Sequence, residues 1–267
     1  QNSFYSSLIY NSIIGSTLNK IKVGLNFSYD DFDEIVDQTK TSYNRIDNSI
    51  GGFFEYSYDS LDAVSLVAGI RYDIHNNLGS FFTPRFHLRY QPFEKSVLRL
   101  SAGTGRKSSN IFSENQNIFT SGRQIKISKE SGKFYGLDPE KAFNYGLSFR
   151  QGFFINNREG DITFDYYVTD FENQVIVDWE TQGEVSFYNL YGKSFAKSLQ
   201  IDLEYQISNN ILIKSTFKNF DIKKQYNSGL KINPLNPKNI FFTNLEASTN
   251  ERKNGSKWKF DFTYNWI

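Results

Sequence analysis

Apolar and polar residues alternate one by one along most of this chain. The clearest run is Asp161–Val168, in which Ile162, Phe164, Tyr166 and Val168 are apolar and the residues between them are mostly polar. Because a strand places successive side chains on opposite faces, this period of two gives one apolar and one polar face. Similar runs occur at 21–30, 54–58, 64–73, 85–90, 98–103, 143–150, 198–205 and 258–266, and weaker ones at 3–13, 210–221 and 238–249. The pattern predicts an all-β chain of about twelve strands.

The links between these runs decide between two all-β architectures. Alternation alone would also fit a soluble sandwich, which has one buried and one solvated face on each sheet. Short links fall near 15–18, 59–61, 91–95, 155–160, 207–210 and 250–256, and they alternate with long links near 31–46, 74–81, 105–138, 171–185 and 222–236. Bacterial outer-membrane barrels combine short periplasmic turns with long extracellular loops, and their tilted strands have about ten residues. We therefore predict an antiparallel meander whose apolar face contacts outer-membrane lipid and whose polar face lines a wet lumen.

Composition narrows the functional classes. The 267 residues carry a net charge of +1, which gives no reason to expect nucleic acid as a partner. The chain has no cysteine and therefore no thiolate metal site, and it has no run of apolar residues long enough for a membrane-spanning helix. Aromatic residues make up 17% of the sequence, which suits strands and the aromatic girdles at membrane interfaces. No cofactor and no metal site are predicted.

Several segments of the chain, taken together, carry a family resemblance. They are Gly69–Asp73, Phe82–Arg85, Leu98–Gly103, Leu137–Gly146, Asp165–Gln174, Phe187–Leu190 and Trp258–Asp261. In this order and spacing the chain resembles the C-terminal part of the β-barrel of a TonB-dependent receptor of the kind found in Bacteroidetes. The resemblance implies a 22-stranded transmembrane barrel with an N-terminal plug in a Gram-negative outer membrane, and energy supplied by TonB.

Measured against that family, residues 1–267 are expected to be a partial barrel domain without the plug and the closing strands. The chain starts at Gln1 rather than Met, and no closing strand with a terminal aromatic residue is recognisable. If short links are periplasmic, the first strand runs down and the twelfth runs up, whereas a full bacterial barrel ends on a downward strand. One or three strands are then expected beyond Ile267, and the sheet is expected to be open.

Two groups of residues are candidates for function. The loop at 105–138 mixes charged, amide and aromatic residues, as a ligand site at a barrel mouth would, although a disordered surface loop is an equal alternative. Its candidates for ligand contact are Arg106, Asn110, Phe112, Glu114, Asn115, Phe119, Arg123 and Tyr135. The charges expected to face the lumen are Arg71, Arg85, Arg89, Arg99, Arg150, Asp165, Asp202 and Glu204, together with Glu55, Asp73 and Asp261. These form a ladder of charges in water or anchors for the plug or an anionic cargo.

The function implied by the resemblance is energy-coupled uptake of a scarce nutrient: a siderophore, vitamin complex, glycan or peptide. The alternative is a passive porin or structural barrel without a plug. An enzyme is not expected, because the Asp73–His75 pair has no identifiable third group and Gly103–Ser108 lacks the spacing of a phosphate-binding loop. The expected partners are outer-membrane lipid, the plug, TonB and the nutrient.

Overall fold

The computed structural model describes residues 2–36, 41–60, 63–128, 132–234 and 236–267. These residues form a 14-stranded sheet, one α-helical turn and one 3-10 helix. The strands of the first half are β1 (Asn2–Ile14), β2 (Ser16–Val36), β3 (Thr41–Asp59), β4 (Val64–His75), β5 (Gly79–Phe93), β6 (Ser96–Lys107) and β7 (Gln124–Ile127). Those of the second half are β8 (Glu140–Ile155), β9 (Arg158–Asp178), β10 (Glu184–Ser208), β11 (Ile211–Tyr226), β12 (Gly229–Ile232), β13 (Asn239–Ser248) and β14 (Lys259–Trp266). Helix α1 (Ile111–Glu114) and the 3-10 helix (Gln116–Thr120) lie between β6 and β7.

Neighbouring strands in the sheet are almost all neighbours in sequence. The main path runs β1-β2-β3-β4-β5-β6-β8-β9-β10-β11-β13-β14, and every pair along it is antiparallel. The two short strands lie off this path: β12 pairs with β11, and β7 pairs in parallel with β10. The prediction of an all-β meander of about twelve strands is confirmed.

The sheet is not closed within the described residues. There β1 pairs only with β2, and β14 pairs only with β13. The side chains of both edge strands are nearly all exposed. The prediction of an open sheet is therefore confirmed for the described part of the chain.

The two faces of the sheet differ as the alternation predicts. Ile162, Phe164 and Tyr166 share one face and are 40%, 37% and 39% exposed. Asp165 lies on the opposite face, where the register pairs it with Gln200. Apolar side chains exposed at alternate positions along so many strands match a surface that contacts lipid.

Two of the short links are tight turns, whereas the predicted short link near 250–256 is a loop of residues 249–258. One residue, Gly15, joins β1 to β2 with a positive φ of 70°. Two residues, Asn156 and Asn157, join β8 to β9, and their φ values of 52° and 57° suit the left-handed turn that matches the twist of a hairpin. Asparagine tolerates this conformation better than other non-glycine residues, so the local sequence selects the turn.

Four of the five predicted long links are wrong in their boundaries, because the strands continue to pair beyond the expected membrane span. Strand β2 reaches Val36, which pairs with Thr41; residues 37–40 lie outside the described residues. The link between β4 and β5 has only three residues, 76–78, so the strict alternation of short and long links does not hold there. Strands β9–β10 and β11–β12 likewise extend as paired ribbons.

The fifth long link, between β6 and β8, is a folded loop. It contains α1, the 3-10 helix and β7, and it contributes five of the nine described buried residues of the main hydrophobic cluster: Ile111, Phe112, Ile118, Tyr135 and Leu137. Its Ile111, Phe112 and Ile118 pack with Val175 of β9 and Phe187 of β10. No described helix is long and apolar enough to cross a membrane. The main hydrophobic core therefore lies at one end of the sheet, in the loop layer.

Candidate functional site

The polar face of the sheet forms the wall of a cavity of about 870 Å³. Arg150 of β8, Asp161 of β9, Glu204 of β10, Glu246 of β13 and Asp261 of β14 all line it. Side chains from so many successive strands can surround one space only on the hollow side of a curved sheet. The polar face is thus the concave face, as expected for a barrel lumen.

Ion pairs join charged side chains within and between strands along this concave wall. The Arg71 guanidinium donates to Asp73 through Nε and Nη2, each at 2.6 Å. The Glu55 carboxylate forms ion pairs with two cations: Lys22, whose Nζ lies 3.4 Å from Oε1, and Arg85. The charges on β2 to β5 are therefore largely compensated by each other.

Strands β5 and β6 carry an excess of positive charge on the same wall. Arg89 lies directly opposite Arg99 in the register, and such a like-charge cross-strand pair is unfavourable by itself. Arg89 donates to the Gln91 amide oxygen, while the Arg99 side chain is exposed and has no ion pair with a described residue. Within the described residues, neither arginine of this pair has an ion pair, so their positive charge is uncompensated by a carboxylate.

Negative charge predominates on the next strands. Asp161 and Glu204 lie directly opposite each other, and so do Glu246 and Asp261. Lys214 lies between the two pairs, opposite Glu204 and 2.8 Å from Glu246. The wall therefore changes from a positive to a negative stripe across β8.

The remaining predicted lumen charges occupy the same face. Arg150 contacts Asp161 at 3.0 Å. Asp202 accepts hydrogen bonds from Thr216 at 2.6 Å and Gln200 at 2.7 Å, and Asp165 lies between Ser148 and Gln200 in the register. The shared face is thus observed, whereas a role in anchoring a plug or cargo stays a prediction.

The long loop is held to the distant β2–β3 ribbon by Arg45. Its guanidinium lies 4.3 Å from the Phe32 ring centroid and 3.6 Å from that of Phe134. Arg45 Nη2 donates to Asn110 Oδ1 at 2.7 Å, and its Nε lies 2.8 Å from an Asp47 carboxylate oxygen. A buried cation between two rings and beside a carboxylate fixes the loop across the rim of the sheet.

Two predicted ligand-contact residues are core residues of this loop. Phe112 and Tyr135 are only 2% and 8% exposed, and their ring centroids are 5.4 Å apart. Tyr43 packs against both rings, and the Tyr135 hydroxyl donates to Glu34. Burial and the neighbouring Glu34 carboxylate raise the pKa of Tyr135, so this hydroxyl stays protonated. The structure gives both residues a packing role.

The other predicted ligand-contact residues are distributed over the loop. Phe119 is 46% exposed, Arg106 lies 5.1 Å from the Phe81 ring, and Arg123 donates to the Trp179 carbonyl at 3.0 Å. Glu114, the last residue of α1, and Asn115, which follows it, line a separate polar recess. Whether any of these residues contacts a ligand stays a prediction.

A polar recess of about 280 Å³ lies beneath α1, at the loop end of the concave wall. We call it the α1 recess. Its polar lining consists of Lys107, Ser109, Glu114, Asn115, Glu140, Gln174 and Lys224. Lys107 Nζ contacts Glu114 at 3.1 Å and Glu140 at 3.3 Å, and the second Glu140 oxygen accepts the Val175 N–H at 2.9 Å. Both carboxylates of the recess are therefore occupied.

The two lysines of the α1 recess are in different electrostatic environments. Burial disfavours the charge of Lys107, but Glu140 and Glu114 outweigh this effect and raise its pKa. Burial lowers the pKa of Lys224, and the attraction of Glu140 offsets the effect only in part. The Lys224 ammonium group has no ion pair or hydrogen bond with a described residue.

Sequence reasoning missed most of this recess. Lys107, Glu140, Gln174 and Lys224 come from four different strands. No local motif connects positions so far apart in the chain. The only signal in the sequence was that these residues lie near strand ends, at positions that the alternation places on the polar face.

The family model described as "TonB dependent receptor-like, beta-barrel" matches residues 1–266. Among solved structures, a mutant of the ferric enterobactin receptor of Pseudomonas aeruginosa is similar, with a TM-score of 0.67, 13% identity, and coverage of 92% of this chain and 39% of the receptor. The siderophore receptor PirA of the same organism is similar with a TM-score of 0.64 and 12% identity, and the match covers 98% of this chain and 46% of PirA. The copper transporter OprC is similar with a TM-score of 0.66 and 11% identity, and the match covers 93% of this chain and 42% of OprC. A search of curated protein sequences finds no match.

The identities are low enough that these structures show the fold alone, and the chain spans less than half the length of each receptor. The family model, in contrast, covers nearly the whole chain. It agrees with the antiparallel meander, the exposed apolar face and the polar concave wall. This chain belongs to the TonB-dependent receptor β-barrel family of the Gram-negative outer membrane.

Proposed function

We propose that the chain forms part of the barrel of a receptor that binds a scarce nutrient outside the cell and imports it with energy transmitted by TonB. Family membership over residues 1–266 carries the proposal. The similar solved proteins handle ferric enterobactin, a siderophore or copper, according to their names. A metal or its anionic complex is therefore the first cargo to test. The chain would act by binding and gated passage, without bond-breaking chemistry.

The charges on the concave wall favour a lumen that is filled by a folded domain. An open water-filled pore would leave the Arg89–Arg99 pair uncompensated. A plug with acidic groups at this pair, and basic groups near Asp161 and Glu204, would complement the wall. Further strands would pair with β1 and β14 and close the barrel, since an open edge is costly in lipid.

The plug contact can be tested with charge variants of the full-length receptor. Arg99→Glu should loosen the plug and sensitise cells to a large antibiotic that normally cannot cross the outer membrane. Arg99→Lys keeps the charge and serves as the matched control. Equal resistance of both variants at equal receptor levels would count against a plug contact at this position.

Transport itself is tested by uptake of radiolabelled iron complexes into cells that carry or lack TonB. We expect uptake to require both the receptor and TonB. Passage that depends on the receptor but not on TonB would instead support a passive porin.

A further inference from the structure

The α1 recess contains an unpaired cation together with unpaired oxygen atoms. Ser109 and Gln174 are 7% and 8% exposed, and Ser109 Oγ and Gln174 Oε1 have no hydrogen-bond partner among the described residues. Buried polar groups normally have partners, because leaving one unpaired costs its full desolvation. Both side chains line the same recess as Lys224. Three groups with unused bonding capacity therefore surround one small space.

The chemistry of these groups defines a complementary ligand. Lys224 supplies N–H donors and positive charge, Gln174 supplies an acceptor, and the Ser109 hydroxyl can act in either role. Glu114 and Glu140 also line the recess, so a second negative charge on the ligand would be repelled. A group with one anionic oxygen next to a hydroxyl or ammonium donor fits this arrangement.

We propose that the α1 recess binds the head group of an α-hydroxy- or α-amino-carboxylate, with the carboxylate on Lys224 and the neighbouring donor on Gln174. The volume limits the ligand, since sites for whole drug-sized molecules occupy about 300–1,000 Å³ and this recess has about 280 Å³. It admits a small acid or one acidic group of a larger cargo. The inference rests on the proposed function, because it names a chemical class for the cargo that enters the barrel from the loop side.

The test uses full-length receptor purified in detergent and three small probes: glycolate, glycine and acetate. Saturation-transfer NMR gives the dissociation constant of each probe without TonB or transport. We expect glycolate and glycine to bind, and acetate, which lacks the donor, to bind several-fold more weakly. Lys224→Gln should weaken glycolate binding by about tenfold or more, as expected for losing a charged hydrogen bond.

Two variants separate recognition from a folding defect. Lys224→Arg keeps the charge and should bind glycolate within a few-fold of the wild type. Lys218→Gln, on the same face of the same strand but outside the recess, should leave binding unchanged. Gln174→Leu should bring glycolate binding down to the acetate level.

The inference is overturned if the wild type binds none of the probes, if acetate binds as well as glycolate, or if Lys224→Gln and Lys218→Gln behave alike. Its failure is separable from that of the proposed function. TonB-dependent uptake with binding that does not respond to Lys224→Gln refutes only the inference. Lys224-dependent binding without TonB-dependent uptake refutes only the transport proposal.

Discussion

Arg45 Nη2 donates a hydrogen bond of 2.7 Å to Asn110 Oδ1, which connects the β2–β3 ribbon to the start of the folded loop across 65 positions of the sequence. The same guanidinium lies against the Phe134 ring near the other end of the loop. One side chain therefore holds both ends of the loop. The loop layer is coupled to a ribbon that is remote in the chain.

Replacing Arg45 with leucine should release this loop. The change removes the cation beside the Asp47 carboxylate, to which, among the described residues, only the Asn77 side-chain amide still donates, and breaking such a buried pair costs about 3–5 kcal/mol. Amide hydrogen exchange of the full-length receptor should therefore accelerate at α1 and the 3-10 helix. Lys126→Leu, on an exposed position of β7, is the control and should have no such effect. Unchanged protection of α1 in Arg45→Leu would show that the apolar core alone fixes the loop.

Gly146 lies beneath the Tyr167 ring on the concave face, and a Cβ added to Gly146 would overlap that ring. An aromatic residue that covers a cross-strand glycine compensates for the missing side chain. We expect Gly146→Ala to lower the free energy of unfolding by about 1–3 kcal/mol, measured by urea titration of the full-length receptor in lipid vesicles.

Two further variants test this reading of Gly146. Gly105→Ala is the matched control, because its added methyl group would meet no described atom within 4 Å. In a Tyr167→Ala background the overlap disappears, so Gly146→Ala should then cost much less. Equal costs in both backgrounds would mean that the ring does not limit the position.

Ile201 tests the assignment of the two faces. It lies on the face opposite Asp202, level with Phe164 and Phe217 of the neighbouring strands. Ile201→Lys should cost about 2–4 kcal/mol of unfolding free energy in a bilayer if the position is near the midplane. Gln200→Lys, on the concave face, should cost much less. The reverse order in vesicle unfolding experiments would exchange the lipid and lumen faces.

His75 makes the turn between β4 and β5 sensitive to acid. Its Nδ1 accepts the N–H groups of Asn77 at 3.0 Å and Leu78 at 3.2 Å, which requires the unprotonated nitrogen. Burial lowers the pKa of His75 below its usual value of 6.5; Asp47 and Asp73 oppose the effect, while Arg45 reinforces it. The folded state therefore binds fewer protons than the unfolded state between the lowered pKa and 6.5, and stability falls as the pH drops through that window.

Amide exchange at Asn77 and Leu78, corrected for the intrinsic effect of pH, should accelerate between pH 7.5 and pH 5. His75→Asn keeps a side-chain acceptor that does not titrate in this range, so the acceleration should disappear. A pH response that persists in His75→Asn would assign the effect to another group.

The sequence by itself determined the all-β class, the strand order and the side of the sheet that each residue occupies. Alternation is a local signal, because each strand residue must point to one face or the other. Ile162 and Asp165 could be assigned to opposite faces for that reason alone. The family resemblance, found from segments such as Leu98–Gly103, is confirmed by the family model over residues 1–266.

The tertiary structure decided what happens beyond the expected membrane span. The pattern at 31–46 and 171–185 did not show that the ribbons β2–β3 and β9–β10 continue to pair, because pairing depends on the partner strand rather than on local composition. Phe112 and Tyr135 have the residue types of a ligand site, yet their rings pack into a core that forms only when the loop meets β3 and β10. Likewise, Lys107 of β6 and Lys224 of β11 line one recess although three strands of the sheet separate them, because the curvature of the sheet turns both side chains toward the same space.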